Sequence, residues 1–326
     1  MQHYIESDTA SLLKNLAAQG GPKLHAMPVN DARAAVRALT QYCDLPGPNG
    51  CTTRDVLPSG ELLVPIRLYS PADVTTGPVI IFVHGGGFVL GDLDTYDALC
   101  RYLCVRTGMR VVAPDYRLAP EHPFPAAYDD VGNSISWVLS HPPALGLPAS
   151  AVALAGDSAG AALSASWAAN WNGDPRNSVS DRRNSISALL LLYPVTDLAA
   201  KSASYTLFGE GYLLESADMD FFIRAYTPNA ADREDPRASP LLCQDLSRMP
   251  PTTLLTCGLD VLRNEGRAFA SRLVAAGIET YYREAKGHIH GIATLRGALP
   301  SARSVIDEVI DSFSRQIAHG IQEPQA

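Results

Sequence analysis

Six short apolar runs punctuate the chain, and a helix's length of sequence separates each from the next. They are Val79–Val83, Arg110–Ala113, Ala151–Ala155, Leu189–Leu192, Thr253–Thr256 and Thr280–Tyr282. The first five stop within two residues of a Gly or Pro. Runs apolar on both faces and broken in this way predict parallel strands buried between two layers of helices. Strands alternating with helices give an α/β fold with right-handed crossovers. Before them, Thr53–Leu57 and Leu62–Leu68 flank Pro58-Ser59-Gly60-Glu61, a hairpin signal, so the sheet is expected to start antiparallel.

Composition narrows the function. Of 326 residues 46% are apolar, enough for one large core or two smaller ones. With 26 Lys+Arg against 34 Asp+Glu the formal charge is −8, the wrong sign for binding nucleic acid or an anionic membrane. No run approaches the ~18 apolar residues of a membrane span, so no membrane insertion is expected. The first residues carry neither a basic stretch nor an apolar run, and the expected location is cytoplasmic. Six cysteines include no Cys-x-x-Cys. Cys100 and Cys104, four apart on one helical face, are expected to be small buried hydrophobes.

Two segments depart from the alternation. Residues 1–45 hold two helical patterns: Leu12, Leu13, Leu16 and Ala17, then Val36, Leu39 and Cys43 behind an Asn30-Asp31 N-cap candidate. Residues 198–235 form a long aromatic-rich insertion between strands. Both are expected to make a helical cap over one end of the sheet, leaving 46–197 and 236–326 as the two parts of the core. The stretch 173–187 reads as a solvated polar loop.

Gly156-Asp157-Ser158-Ala159-Gly160 fits G-x-S-x-G, between an apolar run and a run of helix formers. There the chain must turn sharply from strand to helix, holding Ser158 strained and exposed, and the flanking glycines make room. The following helix brings N–H groups and its positive dipole end to the reacting centre. His84-Gly85-Gly86-Gly87 ends an earlier strand. Its glycines let backbone N–H groups approach the oxygen of a tetrahedral intermediate. No G-x-G-x-x-G spacing or Walker lysine supports a phosphate loop instead.

A serine nucleophile needs a histidine base. In such folds the order is Ser, Asp or Glu, then His, which leaves His288, His290 and His319. His319 falls in what reads as the polar tail. His288 and His290 both follow the last apolar run, and the residues alone do not choose between them. A His-x-His metal site lacks a nearby third ligand, so no metal is expected. Asp260, at the end of the preceding strand, is the expected orienting acid. Asp197 is its rival, with capping its expected role. Asp115, Arg117 and Glu121 are expected to anchor their loop by ion pairs.

The chain resembles the bacterial hormone-sensitive lipase family of α/β-hydrolases, the family IV esterases. The resemblance rests on His84–Phe88, Asp115–Glu121, Gly156–Gly160, Leu192-Tyr193-Pro194, Ser239-Pro240-Leu241, Gly258–Leu262 and His290-Gly291. It implies an α/β-hydrolase fold with a mostly parallel central sheet and a helical cap. It selects His290, which directly precedes Gly, as the base. It implies an oxyanion hole from the N–H groups of Gly85, Gly86 and Ala159. Ile292 replaces the usual Phe, Ala161 a usual Gly, and Asn264 a frequent Asp.

The resulting expectation is a serine carboxylesterase using Ser158, His290 and Asp260. Its partner is a small-molecule ester of short acyl chain, with no cofactor. Phe88 and Tyr193 are expected to line the pocket. The resemblance also admits a homodimer, common among relatives. A deacetylase, a non-hydrolytic receptor or a lyase are the rivals on the same scaffold.

Overall fold

A computed structural model describes residues 3–57, 63–72, 74, 77–140, 149–173 and 186–322. Eight strands form one sheet: β1 Cys51–Val56, β2 Ile66–Pro71, β3 Gly77–Val83, β4 Arg110–Pro114, β5 Ala149–Asp157, β6 Ile186–Leu192, β7 Thr252–Leu259 and β8 Thr280–Ile289. Their spatial order is β1-β2-β4-β3-β5-β6-β7-β8. β1 pairs antiparallel with β2, and β2 antiparallel with β4. Every later pairing is parallel. The expected antiparallel start is therefore present, although residues 58–62 of its turn lie outside the described residues.

The strands bury both faces because their side chains alternate between two apolar clusters. Val79, Ile81, Val83, Val152, Leu154, Leu189, Leu191 and Leu254 face one cluster. Ile80, Phe82, Ala153, Ala155, Leu190, Leu192 and Leu255 face the other. This period of two explains why the runs read as continuously apolar. The first cluster is completed by α4 (Ala126–Ser140), α5 (Ser158–Gly173) and α8 (Arg263–Ala275). The second is completed by α3 (Asp97–Thr107) and α9 (Arg303–Gln322). Cys100 and Cys104 are buried in that second cluster, on α3.

Residues 3–45 hold α1 (Ser7–Gln19) and α2 (Val29–Cys43). The expected Asn30-Asp31 cap is corrected: α2 begins at Val29 behind Pro28, and both residues sit in its first turn. Proline's fixed φ and missing donor suit that boundary. The insertion holds α6 (Ala203–Phe208) and α7 (Ser216–Tyr226). The two segments meet: Lys23 Nζ lies 2.7 Å from Glu215, and the backbone N and Nδ1 of His25 lie 3.1 and 2.9 Å from Asp218 Oδ1. His319 is exposed, but in the last turn of α9 rather than in a tail. Most of the expected loop 173–187 falls outside the described residues. Among the described residues no helix is long and apolar enough to cross a membrane.

Candidate active site

The centre of the sheet presents Ser158. β5 ends at Asp157 and α5 starts on the next residue, so the chain reverses within one peptide. Ser158 takes φ +52°, a strained value for a residue with a side chain. The flanking glycines are obligatory on steric grounds. A Cβ on Gly160 would lie 2.0 Å from Val83 O, and one on Gly156 would lie 2.5 Å from the Gly160 carbonyl.

His290 comes directly after the end of β8 and Asp260 directly after the end of β7, so both reach the same edge of the sheet as Ser158. His290 Nε2 lies 2.9 Å from Ser158 Oγ, and its Nδ1 lies 2.8 Å from Asp260 Oδ2. Asp260 is buried, and its other oxygen accepts from Leu262 N at 2.9 Å. Tyr193 sets its ring edge-on to His290 at 4.7 Å, and its hydroxyl accepts from Ala293 N. His288 points elsewhere, to Thr9. The rival Asp197 accepts from the N–H groups of Ala199 and Ala200, a turn cap. Among the described residues, no three His, Cys, Asp or Glu side chains converge as metal ligands do.

The glycine loop after β3 requires one correction. Gly85 donates its N–H to Asp157 Oδ1 at 2.7 Å, so that group is already committed and is not available to an oxyanion. The N–H groups of Gly86, Gly87 and Ala159 make no hydrogen bond among the described residues. Gly86 turns at φ +109° and Gly87 at +62°. A Cβ on Gly86 would meet Leu90 O at 2.2 Å, and one on Gly87 the Phe222 ring at 2.4 Å.

The residue pattern gives Asp157 no role. It is fully buried, and burial pushes its carboxyl up to about 6, against the Gly85 N–H, His290 and the Tyr96 hydroxyl. Tyr96 donates to its Oδ2 at 3.2 Å. The only signal is a charged residue inside an otherwise small-residue turn. His84 is stacked between Tyr96 and Tyr116, and its carbonyl accepts from the Tyr116 hydroxyl. Phe88, also at positive φ, stacks on Tyr226 of α7 with centroids 3.8 Å apart.

The surrounding loops are pinned by charge. Arg117 forms a bidentate pair with buried Asp130. Glu121 pairs with Arg33 of α2, which also donates to Val89 O and Ala119 O. Glu265 is buried and accepts from Thr196 N and Asp197 N, and burial raises its carboxyl well above the usual range. Neither Arg33 nor Glu265 carries a motif of its own that would single it out.

Residues 80–294 match a family model described as the alpha/beta hydrolase fold. The chain is 39% identical over 276 residues to the carboxylic ester hydrolase LipN of Mycobacterium tuberculosis, covering 81% of this chain and 70% of that protein. It is 32% identical over 304 residues to an ethyl acetate hydrolase of Pseudomonas putida, covering 90% and 92%. Among solved structures it is similar to the ester-hydrolase EH1AB1 from the metagenome of Lake Arreo, in complex with a bipyridine phosphonate derivative. That match has a TM-score of 0.89 at 35% identity and covers 96% and 99% of the two chains. A thermostable esterase from Pseudomonas putida ECU1011 matches with a TM-score of 0.87 at 30% identity, covering 99% and 100%.

Proposed function

The chain belongs to the α/β-hydrolase family, among the bacterial carboxylesterases of hormone-sensitive lipase type, and on that premise we propose how its residues hydrolyse a carboxylic ester. The observation that carries the reading is the chain of contacts from Ser158 Oγ through His290 to Asp260, 2.9 and 2.8 Å long.

Ser158 Oγ attacks the ester carbonyl while His290 Nε2 takes its proton. Asp260, accepting from Nδ1–H, fixes the imidazole tautomer and stabilises the imidazolium. The carbonyl oxygen becomes an oxyanion within reach of the N–H groups of Gly86, Gly87 and Ala159, at the N-terminus of α5. Their lack of partners among the described residues supports this set over one that includes Gly85. The tetrahedral adduct collapses, and the leaving alcohol takes the proton from His290. Water, deprotonated by the same imidazole, then attacks the acyl-enzyme and releases the acid.

Residues 1–45 and 198–235 act as the two halves of a cap. The contacts of Lys23 and His25 with α7 support this, as does Phe222 on Gly87. A cap seated on the glycine loop favours short acyl chains, in keeping with the relative named for ethyl acetate. Tyr193 backs the imidazole, and Phe88 joins the glycine loop to α7.

The test is a rapid-mix assay with 4-nitrophenyl acetate together with mass spectrometry of a phosphonate adduct. The expected result is a nitrophenol burst, an adduct on Ser158, and loss of both in Ser158→Ala with the fold retained. An adduct on another residue, or undiminished turnover in that variant, overturns the reading.

A further inference from the structure

His288 has no part in the chemistry above, yet it is buried two residues before the base. Its surroundings start from an irregularity in the sheet. Cys257 pairs with Ala285 and Leu259 with Ile289, so β8 spends four residues where β7 spends two. The surplus, in Lys286-Gly287-His288, forms a bulge. Gly287 turns at φ +76°. Gly258 lies opposite, where a Cβ would meet Lys286 Cα at 3.1 Å and Gly287 N at 3.2 Å. Bulges beside active sites re-aim the side chains next to them. Here the strand rejoins β7 at Ile289, and the next residue is His290.

The outer side of the bulge is held by the chain's N-terminal segment. Glu6 N donates to Gly287 O at 3.1 Å. A Cβ on Gly287 would lie 2.8 Å from the Tyr4 ring and 2.9 Å from Glu6 N. Thr9 Oγ1 lies 3.2 Å from His288 Nδ1, with both residues buried. Asp8 anchors this turn of α1 by accepting from Ser301 N and Oγ at 2.8 and 2.7 Å. Burial lowers the pKa of His288, against the opposite pull of Asp8 and Glu6, so the bond to Thr9 joins two neutral groups.

We propose that His288 is a positioning residue: its bond to Thr9 pins the bulge of β8 to α1 and thereby keeps His290 aimed at Ser158. This rests on His290 being the base. A loosened bulge lets the imidazole swing while the substrate site stays intact, and small misplacements of a catalytic group are costly in rate.

The experiment compares full-length wild type, Thr9→Val, His288→Leu and His288→Asn. Thr9→Val keeps shape but removes the hydroxyl, and asparagine places an amide near the position of Nδ1. Each protein is assayed with 4-nitrophenyl acetate for kcat and KM, and its melting temperature is measured. Thr9→Val and His288→Leu are expected to lose kcat by roughly tenfold with KM nearly unchanged. His288→Asn is expected to recover most of the rate.

If Thr9→Val and His288→Leu melt earlier but keep wild-type kcat, the bond is only structural and the proposal fails. It also fails if His288→Asn is as impaired as His288→Leu. Should His288→Leu not fold, Thr9→Val decides alone. Wild-type turnover in His290→Ala undoes the assignment of the base itself, whereas an inactive His290→Ala beside unaffected Thr9→Val and His288→Leu undoes this inference only.

Discussion

Where β3 and β5 meet in the middle of the sheet, backbone is packed directly against backbone. Gly160 has no room for a methyl beside Val83 O, nor has Gly156 beside Gly160, nor Gly86 beside Leu90 O. Where β7 and β8 meet at the sheet's edge, the strands fall out of step, and side chains hold the neighbouring turns: Asp260 on His290, Thr9 on His288, Glu265 on the turn at Thr196. The nucleophile and the glycine loop thus sit on a steric fit, and the base sits on a set of hydrogen bonds. Overlap with backbone has no cheap relief. A hydrogen bond is worth on the order of 1 kcal/mol and can be lost singly. The centre should therefore fail all at once, and the edge by degrees.

The largest effect is expected from adding one methyl to each region. Gly160→Ala drives a Cβ to 2.0 Å from a carbonyl oxygen of β3, and at Gly258 the nearest backbone atom lies 3.1 Å away. Gly160→Ala should lose more than about 4 kcal/mol, enough to prevent recovery of folded enzyme. Gly258→Ala should cost about 1–3 kcal/mol and stay folded. The yield of folded protein for both variants, with denaturant melts of whichever is recovered, decides this, and equal losses at both glycines would erase the distinction.

Next comes the edge's strongest single bond. Asp260→Asn keeps the size of the side chain but places an amide against His290 Nδ1, favouring the wrong tautomer. Such a change is expected to cut kcat by about 10⁴ while the melting temperature moves little. Steady-state rates with circular dichroism check it. A collapse of the fold in this variant would mean that the edge is as brittle as the centre.

One side chain does take part at the centre, and its titration makes a third test. Asp157 is buried with a carboxyl pushed up to about 6, against about 3.9 in an unfolded chain. Between these values the folded protein binds the extra proton. Its contribution to stability is therefore greatest below pH 4 and is lost as pH rises through 6. The full span is on the order of 3 kcal/mol. Asp157→Asn, which still offers an acceptor to Gly85 N–H, should remove that slope. Urea melts of both proteins from pH 4 to 7 measure it. Parallel pH profiles would show that Asp157 carries no such burden.

The same contrast explains what can be read from residues alone. Strand identities are legible because burial on both faces leaves continuous apolar runs, as at Val79–Val83 and Leu189–Leu192. β8 is legible only at its start: past Tyr282 it runs Arg283-Glu284-Ala285-Lys286-Gly287, since an edge strand with a bulge need not be apolar. The positions of Ser158 and Asp260 at strand ends are legible from Gly156–Gly160 and Gly258–Leu262. The direction of each amide in Gly85-Gly86-Gly87 is not, because three identical residues carry no sign of which N–H Asp157 will claim. Nor is the pairing of Thr9 with His288, which joins residues 279 apart through contacts that leave no local pattern.

The smallest effect is the most direct threat to the comparison. Arg33 reaches from α2 to the glycine loop, donating to Val89 O at 2.9 Å and Ala119 O at 3.2 Å while pairing with Glu121. The pairing with Arg33 holds the Glu121 carboxyl down to about 2, but about half of the Glu121 side chain is exposed, so solvent screens most of that attraction. The loop has its own fixings as well. Leu90 N donates to Gly86 O at 2.8 Å, and Ala119 N to Phe88 O at 2.9 Å. Backbone fit alone should then keep Gly86 and Gly87 in place. Arg33→Ala should cost no more than about 1 kcal/mol in stability and about fivefold in kcat on 4-nitrophenyl acetate. A hundredfold loss in a protein that melts normally would mean that the central loop, too, is aimed by a side chain, and centre and edge would then differ only in degree.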